Sequence, residues 1–355
     1  MPEWELVIMI MNINYSKGCL LILLIIFLFV HTGRDAFCDN LIRYQDMGTG
    51  PVSVINQTPM QLLFLQPAPD RAETLPQGAW ILRLNNVTTN TLLSESSGLY
   101  SGHVDMEMIR NAISVQYGLH PRLELNITLP FMYSYSGYMD HTIKHVESFF
   151  GNARKVREKQ DIDRYEYHIE KNGKTFIGGN KRCSGVGDLS FGIKGKIWKE
   201  TDYLPCLSTR FLFKAPTGDE DRSLGSGKPD LSLGILLQKE INSFKAYLNA
   251  DVIFPGDAFD SEDVSVNRFY IALLALEYRL DSKWSCIVQG RYTSRPFEHT
   301  GLKMLETRIF DVLIGVNYQV KGGYFIQAGG VEDCWTSDDA SADVTFFLNL
   351  GKVFF

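Results

Sequence analysis

The segment that decides the fold is Arg122–Tyr135, with the sequence RLELNITLPFMYSY. From Leu123 onward every second side chain is aliphatic or aromatic, and most of those between them are charged or polar. Successive side chains of a β-strand point to opposite faces, so this segment has one continuously apolar face. Its length suits a tilted strand that crosses a bilayer, which needs about 9–11 residues, and its aromatic end is typical of a membrane interface. The pattern predicts a transmembrane β-strand.

The same alternation recurs from Trp80 to the C-terminus. It indicates strands at 80–88, 106–117, 122–135, 187–198, 206–214, 230–239, 244–254, 268–279, 284–294, 307–320, 324–331 and 342–355. Short connections lie at 118–121, 199–205, 240–243, 280–283 and 321–323, and long ones at 89–105, 136–186, 215–229, 255–267, 295–306 and 332–341. Outer-membrane barrels have this asymmetry between their two ends. We predict an all-β fold, a transmembrane antiparallel β-barrel of about 12 strands with long outer loops and short periplasmic turns.

A soluble β-sandwich or lipocalin-like barrel would also show alternation, with its apolar face pointing inward. The strand lengths and the one-sided distribution of long loops favour the membrane barrel. The last segment, Val344–Phe355, alternates and ends in an aromatic residue, which resembles the C-terminal signal that the barrel-assembly machinery recognises. The match is incomplete, because Asn349 and Gly351 share the face of Val353 and Phe355.

An apolar run near the N-terminus predicts export. Cys19–Val30 is unbroken apolar, but its twelve residues are too few for a transmembrane helix, which needs about 20. Lys17 supplies a positive charge before it, and Ala36–Cys38 fits a signal-peptide cleavage site. Cys38 is also a potential lipidation site, although the bulky Phe37 before it argues against a lipoprotein. We therefore predict the outer membrane of a Gram-negative bacterium, after cleavage near Cys38.

The predicted organisation has three parts: a signal peptide at 1–38, an N-terminal segment at 39–79 that can enter the lumen as a plug, and the barrel at 80–355. The stretch 140–182 holds ten Lys or Arg and seven Asp or Glu and is expected to be a large extracellular loop. A solvated loop explains it more simply than contact of its cations with lipopolysaccharide.

Overall charge and location predict the partners. The net charge of −6 and the lack of a concentrated basic face give no support to nucleic-acid binding. The expected partners are outer-membrane lipids and lipopolysaccharide, the barrel-assembly machinery through the strand that ends at Phe355, and an unknown small solute.

The inward face of the predicted strands carries charge of both signs. Alternation places these candidate lumen-lining residues inside: Arg83, Arg110, Glu124, Asp188, Lys194, Lys196, Arg210, Lys245, Asp251, Glu277, Arg279, Arg291 and Asp311. Such mixed charge can line a water-filled passage, or it can form ion pairs that seal a small barrel. Both interpretations stay open from sequence.

One predicted strand departs from this pattern. In 268–279 the inward positions include Phe269, Ile271, Leu273 and Ala275. An inward apolar patch could bind a hydrophobic solute, or it could receive the apolar stretch Met60–Leu65 of the N-terminal segment. The second interpretation is preferred.

Four cysteines remain after the signal peptide: Cys183, Cys206, Cys286 and Cys334. No CxxC pair occurs among them, so a zinc or thioredoxin-like site is not indicated. If disulfides form in the oxidising periplasm, the predicted topology permits Cys183–Cys334 at the outer side and Cys206–Cys286 at the periplasmic rim.

Two groups of motifs resemble known families. Gly50–Pro59, GPVSVINQTP, continues through Leu62–Leu65 to Leu75–Trp80 and is similar to the start of DUF3187, an uncharacterised family of bacterial outer-membrane proteins. Lys214–Asp219 and Leu224–Asp230 resemble a strand-loop-strand pattern of barrels from aromatic-degradation gene clusters. The likeness extends over most of the chain after the signal peptide. It implies the barrel fold and its location, and it does not imply an activity.

No motif indicates catalysis or a cofactor. Gly225 and Gly227 lie between two predicted strands and open no helix, so they do not form a phosphate-binding loop. His141 and His145 are weak metal candidates, and His299 near Ser294 lacks a third group to orient it. We predict a non-enzymatic passive channel or binding and transport barrel for a small, apolar solute, with no catalytic, metal or cofactor site. The alternatives are a lipid-modifying enzyme of the outer membrane and a structural or adhesive surface protein.

Overall fold

The computed structural model describes residues 50–136, 165–178, 182–333 and 340–355. Fifteen strands occur in this part of the chain: β1 (Trp80–Ser97), β2 (Tyr100–His120), β3 (Leu123–Tyr135), β4 (Glu166–Lys171), β5 (Lys174–Gly178), β6 (Ser184–Val186), β7 (Leu189–Trp198), β8 (Cys206–Ala215), β9 (Asp230–Ile241), β10 (Phe244–Phe254), β11 (Phe269–Arg279), β12 (Trp284–Thr293), β13 (Ile309–Gln319), β14 (Tyr324–Asp333) and β15 (Val344–Phe354). Short helical turns lie at Gln61–Leu63, Glu220–Arg222, Asp260–Glu262 and Lys303–Glu306.

Twelve of these strands form one closed antiparallel barrel. Each of β1–β3 and β7–β15 pairs with its neighbours in this series, and β1 pairs with β15 in a register that runs from Trp80 opposite Phe354 to Asn90 opposite Val344. The predicted fold class is confirmed. No helix in the described ranges is long and apolar enough to cross a bilayer.

The outer surface of the wall is apolar. On β3, Ile127, Leu129, Phe131 and Tyr133 are each more than 40% exposed, whereas Glu124 on the opposite face is buried. The same arrangement recurs on the other barrel strands, where large aliphatic side chains alternate with buried polar ones. A continuous apolar surface of this extent would be unstable in water, so lipid must cover it. The inward-apolar soluble alternative is therefore wrong.

Aromatic side chains gather where the strands begin or end at the periplasmic side. Trp80 lies edge-on to Tyr117 at 6.0 Å between ring centroids and contacts Phe354 at 6.3 Å across the closure of the barrel. Trp284 and Tyr318 form a similar pair at 4.3 Å. Such rings suit the interface between hydrocarbon and water, and they mark the periplasmic edge of the membrane-spanning wall.

The connection predicted as a long loop at 89–105 is instead a strand hairpin. β1 and β2 stay paired from Trp80 opposite Tyr117 to Ser97 opposite Tyr100, and Gly98, with a φ of 55°, lies in the tight turn. Beyond the membrane, polar residues such as Ser and Glu interrupt the apolar alternation, although the backbone pairing continues. The apolar alternation therefore covers only the membrane-spanning parts of β1 and β2, and the strands continue beyond it.

Part of the predicted loop 136–186 also forms strands. The hairpin of β4 and β5 pairs with the outer end of β2, and its turn has positive φ at both Asn172 and Gly173. Asn-Gly is a strong sequence sign of a two-residue hairpin turn, and it was present in the sequence. β6 pairs with the outer part of β3. Residues 137–164 and 179–181 of this loop lie outside the described residues.

The face of the final strand that carries Asn349 and Val353 points inward. Phe346, Leu348, Leu350 and Phe354 are exposed on the outer surface, whereas Asn349 is buried and donates a hydrogen bond to Gln327 at 3.3 Å. The apolar outer face of β15 is therefore formed by its even-numbered residues, and Phe355 lies beyond the strand.

The suggested Cys206–Cys286 disulfide is wrong. Both thiols are free; Cys206 is buried with Ala72 and Leu236 inside the barrel, whereas Cys286 alternates with the buried Ser285 and Ile287 and so lies on the outer face of β12. Side chains on opposite faces of the wall cannot bond. Cys183 is also a free thiol, and its proposed partner Cys334 lies outside the described residues.

Candidate functional site

Residues 50–79, called here the lumen segment, lie against the inner face of the wall. Asn56 Nδ2 donates to Asp311 at 2.9 Å near the outer end of β13, and the Leu65 N–H donates to Asp230 at 2.7 Å at the outer start of β9. The Leu75 N–H then donates to Glu124 at 2.9 Å near the periplasmic start of β3. The segment therefore reaches the outer end of the barrel and descends to Trp80, where β1 begins.

The composition of the lumen segment explains why it adds no strand to the sheet. Five prolines occur between Gly50 and Ala79, and each removes a backbone donor that strand pairing would require. Its backbone groups are instead bonded by inward side chains of the wall. The Val52 carbonyl, for example, accepts from Gln289 at 3.2 Å, and the Leu63 carbonyl accepts from Lys214 at 2.6 Å.

Lys194 joins the lumen segment to the wall. Its ammonium donates to Asp70 of the segment at 2.7 Å, to Glu124 of the wall at 3.1 Å and to the Arg71 carbonyl at 3.1 Å. Lys194 is 2% exposed and Glu124 is 1% exposed. A buried charge is tolerated only when partners replace its lost hydration, and here the partners come from two different parts of the chain.

Two further basic residues of the wall bind the descending part of the segment. Arg210 makes a two-pronged pair with Asp251 at 2.7 and 2.6 Å, and its remaining amino group donates to the Ala68 carbonyl at 2.7 Å. Lys196 pairs with Glu73 at 2.7 Å closer to the periplasm. The planar guanidinium of Arg210 can therefore serve a wall carboxylate and a segment carbonyl together.

The thirteen candidate lumen residues all turn to the interior or to its rims. Contacts to the lumen segment are made by Glu124, Lys194, Lys196, Arg210, Arg291 and Asp311. Pairs with Lys214, Arg210 or Glu240 are made by Asp188, Asp251, Lys245 and Arg279. Hydrogen bonds from Tyr247, Ser285 and Asn317 reach Glu277, and Arg83 and Arg110 line a cavity. Their role in a passage stays a prediction.

The neutral partners on the wall and the acidic residues of the lumen segment were not among the candidate residues predicted from the sequence. Gln289, Asn317 and Asn249 share the inward face with the charged residues, and alternation alone could have identified them. Asp70 and Glu73 lie outside the strands, so no periodicity points to them.

An apolar cluster, called here the mouth cluster, fills the outer end of the lumen. It consists of buried side chains of the lumen segment, of β1, β2, β4, β5, β8, β10 and β11, and of the outer loops: Met60, Leu63, Phe64, Leu65, Leu93, Val104, Met106, Tyr167, Ile169, Ile177, Leu212, Ile253, Val264, Phe269, Ile271, Phe297, Leu302, Met304 and Leu305. Phe64 packs edge-on to Phe269 at 6.0 Å and to Phe297 at 5.7 Å between ring centroids.

The inward apolar patch of β11 contacts the lumen segment at two levels. Phe269 and Ile271 belong to the mouth cluster with Met60–Leu65. Leu273 and Ala275 pack in a second cluster with Val52 and Val54. The segment, and not empty space, therefore faces this patch along its whole length.

The described residues do not bring the candidate pair Ser294 and His299 together. Ser294 Oγ accepts a hydrogen bond from the Tyr270 N–H at 2.8 Å, and no contact joins it to His299 in the described part of the chain. Among the described residues no group of three His, Cys, Asp or Glu side chains could hold a metal ion. His141 and His145 lie outside the described residues.

The fold is similar to those of solved outer-membrane barrels. The COG4313 outer membrane channel from Pseudomonas putida F1 matches with a TM-score of 0.56 at 17% identity, over 81% of this chain and 100% of that chain. The translocator domain of the autotransporter NalP from Neisseria meningitidis matches with a TM-score of 0.43 at 11% identity, over 79% and 90%. The CymD monoaromatic hydrocarbon channel matches with a TM-score of 0.39 at 9% identity, over 79% and 89%.

In sequence, the family model described as Protein of unknown function (DUF3187) matches residues 42–354, and no curated protein matches the chain. At these identities the structural likeness is one of fold.

Proposed function

For this chain, which belongs to the family described as Protein of unknown function (DUF3187) as its motifs predicted, we propose an outer-membrane channel for a small apolar solute, closed by the lumen segment. The observation that carries the proposal is the mouth cluster. Met60, Leu63 and Phe64 occupy the outer end of the lumen and contact apolar groups there, and the anchor between Lys194 and Asp70 lies closer to the periplasm. The closed state therefore presents an apolar entrance above a polar interior.

The mouth cluster suggests how a solute would open the channel. An apolar molecule that contacts Phe269 and Phe297 would replace the contacts that Phe64 makes with both rings. Binding there would stabilise the state in which the tip of the lumen segment has moved away, because the solute binds that state and not the closed one. The lipid-facing wall and the Lys194–Asp70 anchor do not depend on the tip, Met60–Leu65. Movement of the tip would break the bonds of the Leu63 carbonyl to Lys214 and of the Leu65 N–H to Asp230.

The same proposal includes export and assembly. Cleavage after Cys38 would remove residues 1–38 and leave the lumen segment near the new N-terminus, and the strand ending at Phe355 would direct assembly. N-terminal sequencing of the protein from isolated outer membranes should begin near Asp39. A start well inside residues 50–79 would contradict a plug of this length.

The test is uptake of the apolar dye N-phenyl-1-naphthylamine by cells that lack the gene and carry either the wild type, a variant or an empty vector. Phe64→Ala should speed uptake, because truncating a buried phenylalanine costs about 3–5 kcal/mol and weakens the closed state. Phe131→Ala is the matched control: it also truncates a phenylalanine, but one that is 46% exposed on the lipid face.

The expected order of uptake rates is Phe64→Ala above wild type, wild type equal to Phe131→Ala, and all of them above the empty vector. Equal rates for wild type and vector, with no gain in Phe64→Ala, would contradict an apolar channel. A heat-modifiable band for each variant would show that the barrels are folded and present in equal amounts.

A further inference from the structure

Arg110 is a buried cation without a partner. It lies on the inner face of β2, is 9% exposed, and makes no hydrogen bond or ion pair with any group in the described part of the chain. Its neighbours on the same face are Met108 and Ala112, which cannot accept a hydrogen bond through their side chains as a carboxylate does. A guanidinium buried in this way needs a compensating group, and the described part of the chain supplies none.

The side chain of Arg110 lines a cavity of about 80 Å³ between the lumen segment and the wall formed by β1, β2, β3, β7 and β8. A single water molecule needs roughly 10–15 Å³ by the same measure, so several waters or one small ion can occupy this space. Polar groups of Asn85, Ser114 and Thr128 also line it. These neutral side chains can donate hydrogen bonds to an anion.

The charges around the cavity leave it positive. The four charged residues of its lining are Asp70, Arg83, Arg110 and Arg210. Asp70 shares the ammonium of Lys194 with Glu124, at 2.7 and 3.1 Å, and Arg210 is paired with its own carboxylate partner at 2.6 Å. Arg83 donates to Gln116 at 2.5 Å, lies over the ring of Phe325 at 5.5 Å, and is attracted by the carboxylates of Asp70 and Glu124. Arg83 and Lys194 thus balance these two carboxylates, and among the described residues the guanidinium of Arg110 remains without one.

We propose that this cavity binds one small inorganic anion of the size of phosphate, with Arg110 as its main ligand. Arg83 adds positive charge from the periplasmic side of the cavity. Its strand partner Ser114 lies four residues closer than Arg110 to the periplasmic end of β2. The anion would hold the lumen segment against this side of the wall, since the segment contributes Ser53, Gln66 and Asp70 to the lining. The cavity adjoins the mouth cluster through Leu65 and Leu212, but the anion site does not require that an apolar solute passes.

The test uses the full mature protein folded in detergent, with inorganic phosphate as the probe. Its thermal midpoint is measured in sodium phosphate and in sodium gluconate at equal ionic strength and pH. Gluconate is too large for a cavity of about 80 Å³, so it controls for screening. The midpoint should rise with phosphate concentration and stay constant in gluconate, because a ligand that binds only the folded state stabilises it by mass action.

Arg110→Gln should abolish the phosphate-dependent rise. Arg295→Gln should retain it, because Arg295 is an exposed arginine that pairs with Glu298 in an outer loop. A second measurement on the wild type is equilibrium dialysis with radiolabelled phosphate, which should give one bound ion per chain even if Arg110→Gln fails to fold.

An equal rise in gluconate, a rise that survives in folded Arg110→Gln, or no phosphate bound in dialysis would each overturn the proposal. The last result would mean that water alone fills the cavity.

Discussion

Replacing Lys194 with methionine should loosen the lumen segment. The ammonium of Lys194 is the group that Asp70 of the segment and Glu124 of the wall share, at 2.7 and 3.1 Å. Methionine preserves much of the length and apolar stem of lysine but removes the charge. Asp70 and Glu124 would then face each other in the interior without their cation, and separation of the segment from the wall would relieve the repulsion.

The size of the effect follows from burial. Lys194 and Glu124 are 2% and 1% exposed, so solvent screens their interaction very little. Removal of one partner from a buried pair costs about 3–5 kcal/mol. If that cost falls on the closed state alone, the ratio of open to closed protein rises roughly 150-fold to 4,000-fold, since 1.4 kcal/mol corresponds to a factor of ten.

Planar bilayers can measure this ratio as the frequency of conductance steps. The matched control is Lys239→Met, which removes another paired lysine: Lys239 contacts Glu200 at 3.2 Å but is 23% exposed at the periplasmic end of β9. Exposed pairs contribute about 0–1 kcal/mol, so the control should open as rarely as the wild type. Equal opening frequencies for the two variants, with both barrels folded, would refute the role assigned to Lys194.

Three further outcomes are expected. Deletion of residues 50–79 should leave a folded barrel with a large, steady conductance, and a deletion variant as closed as the full-length protein would show that another part closes the lumen. Ile127→Arg should destabilise the folded barrel by roughly 2–4 kcal/mol, because it places charge in hydrocarbon, and should therefore lower the folded fraction in membranes. Asn126→Arg, on the inner face of the same strand, should assemble normally. The folded band on unheated gels measures both. Burial disfavours ionisation of Glu306, but hydrogen bonds from the outer loop, including those of Thr300, outweigh it and hold the pKa of this carboxyl below its usual value. The stabilisation is therefore complete above the usual carboxyl pKa and lost as pH falls through the lowered one, so proteolysis of this loop should accelerate in acid in the wild type and lose that pH dependence in Glu306→Gln.

The strands of the barrel could be predicted from the sequence because their information is local. A side-chain period of two, with one face in lipid, is visible within ten residues, and β3 and β9–β13 begin and end within two residues of their predicted limits. The outer halves of β1 and β2 could not be predicted in this way. Outside the bilayer the outward side chains need not be apolar, so the sequence there shows no alternation. The backbone pairing of Thr91 with Met106 and of Ser97 with Tyr100 depends on the partner strand alone.

The arrangement of the interior side chains could also be predicted from the sequence only in part. Alternation alone determined that residues such as Lys194, Arg210 and Asp251 point inward. Only the tertiary structure decided which of them pair, and that Asn56 meets Asp311 across 255 residues of sequence. The cause is geometric: closure of the barrel sets the height of each strand relative to the others, and the prolines keep the lumen segment free of the sheet. A buried charge needs a partner at the same level along the barrel axis, and no local pattern in the sequence predicts that level.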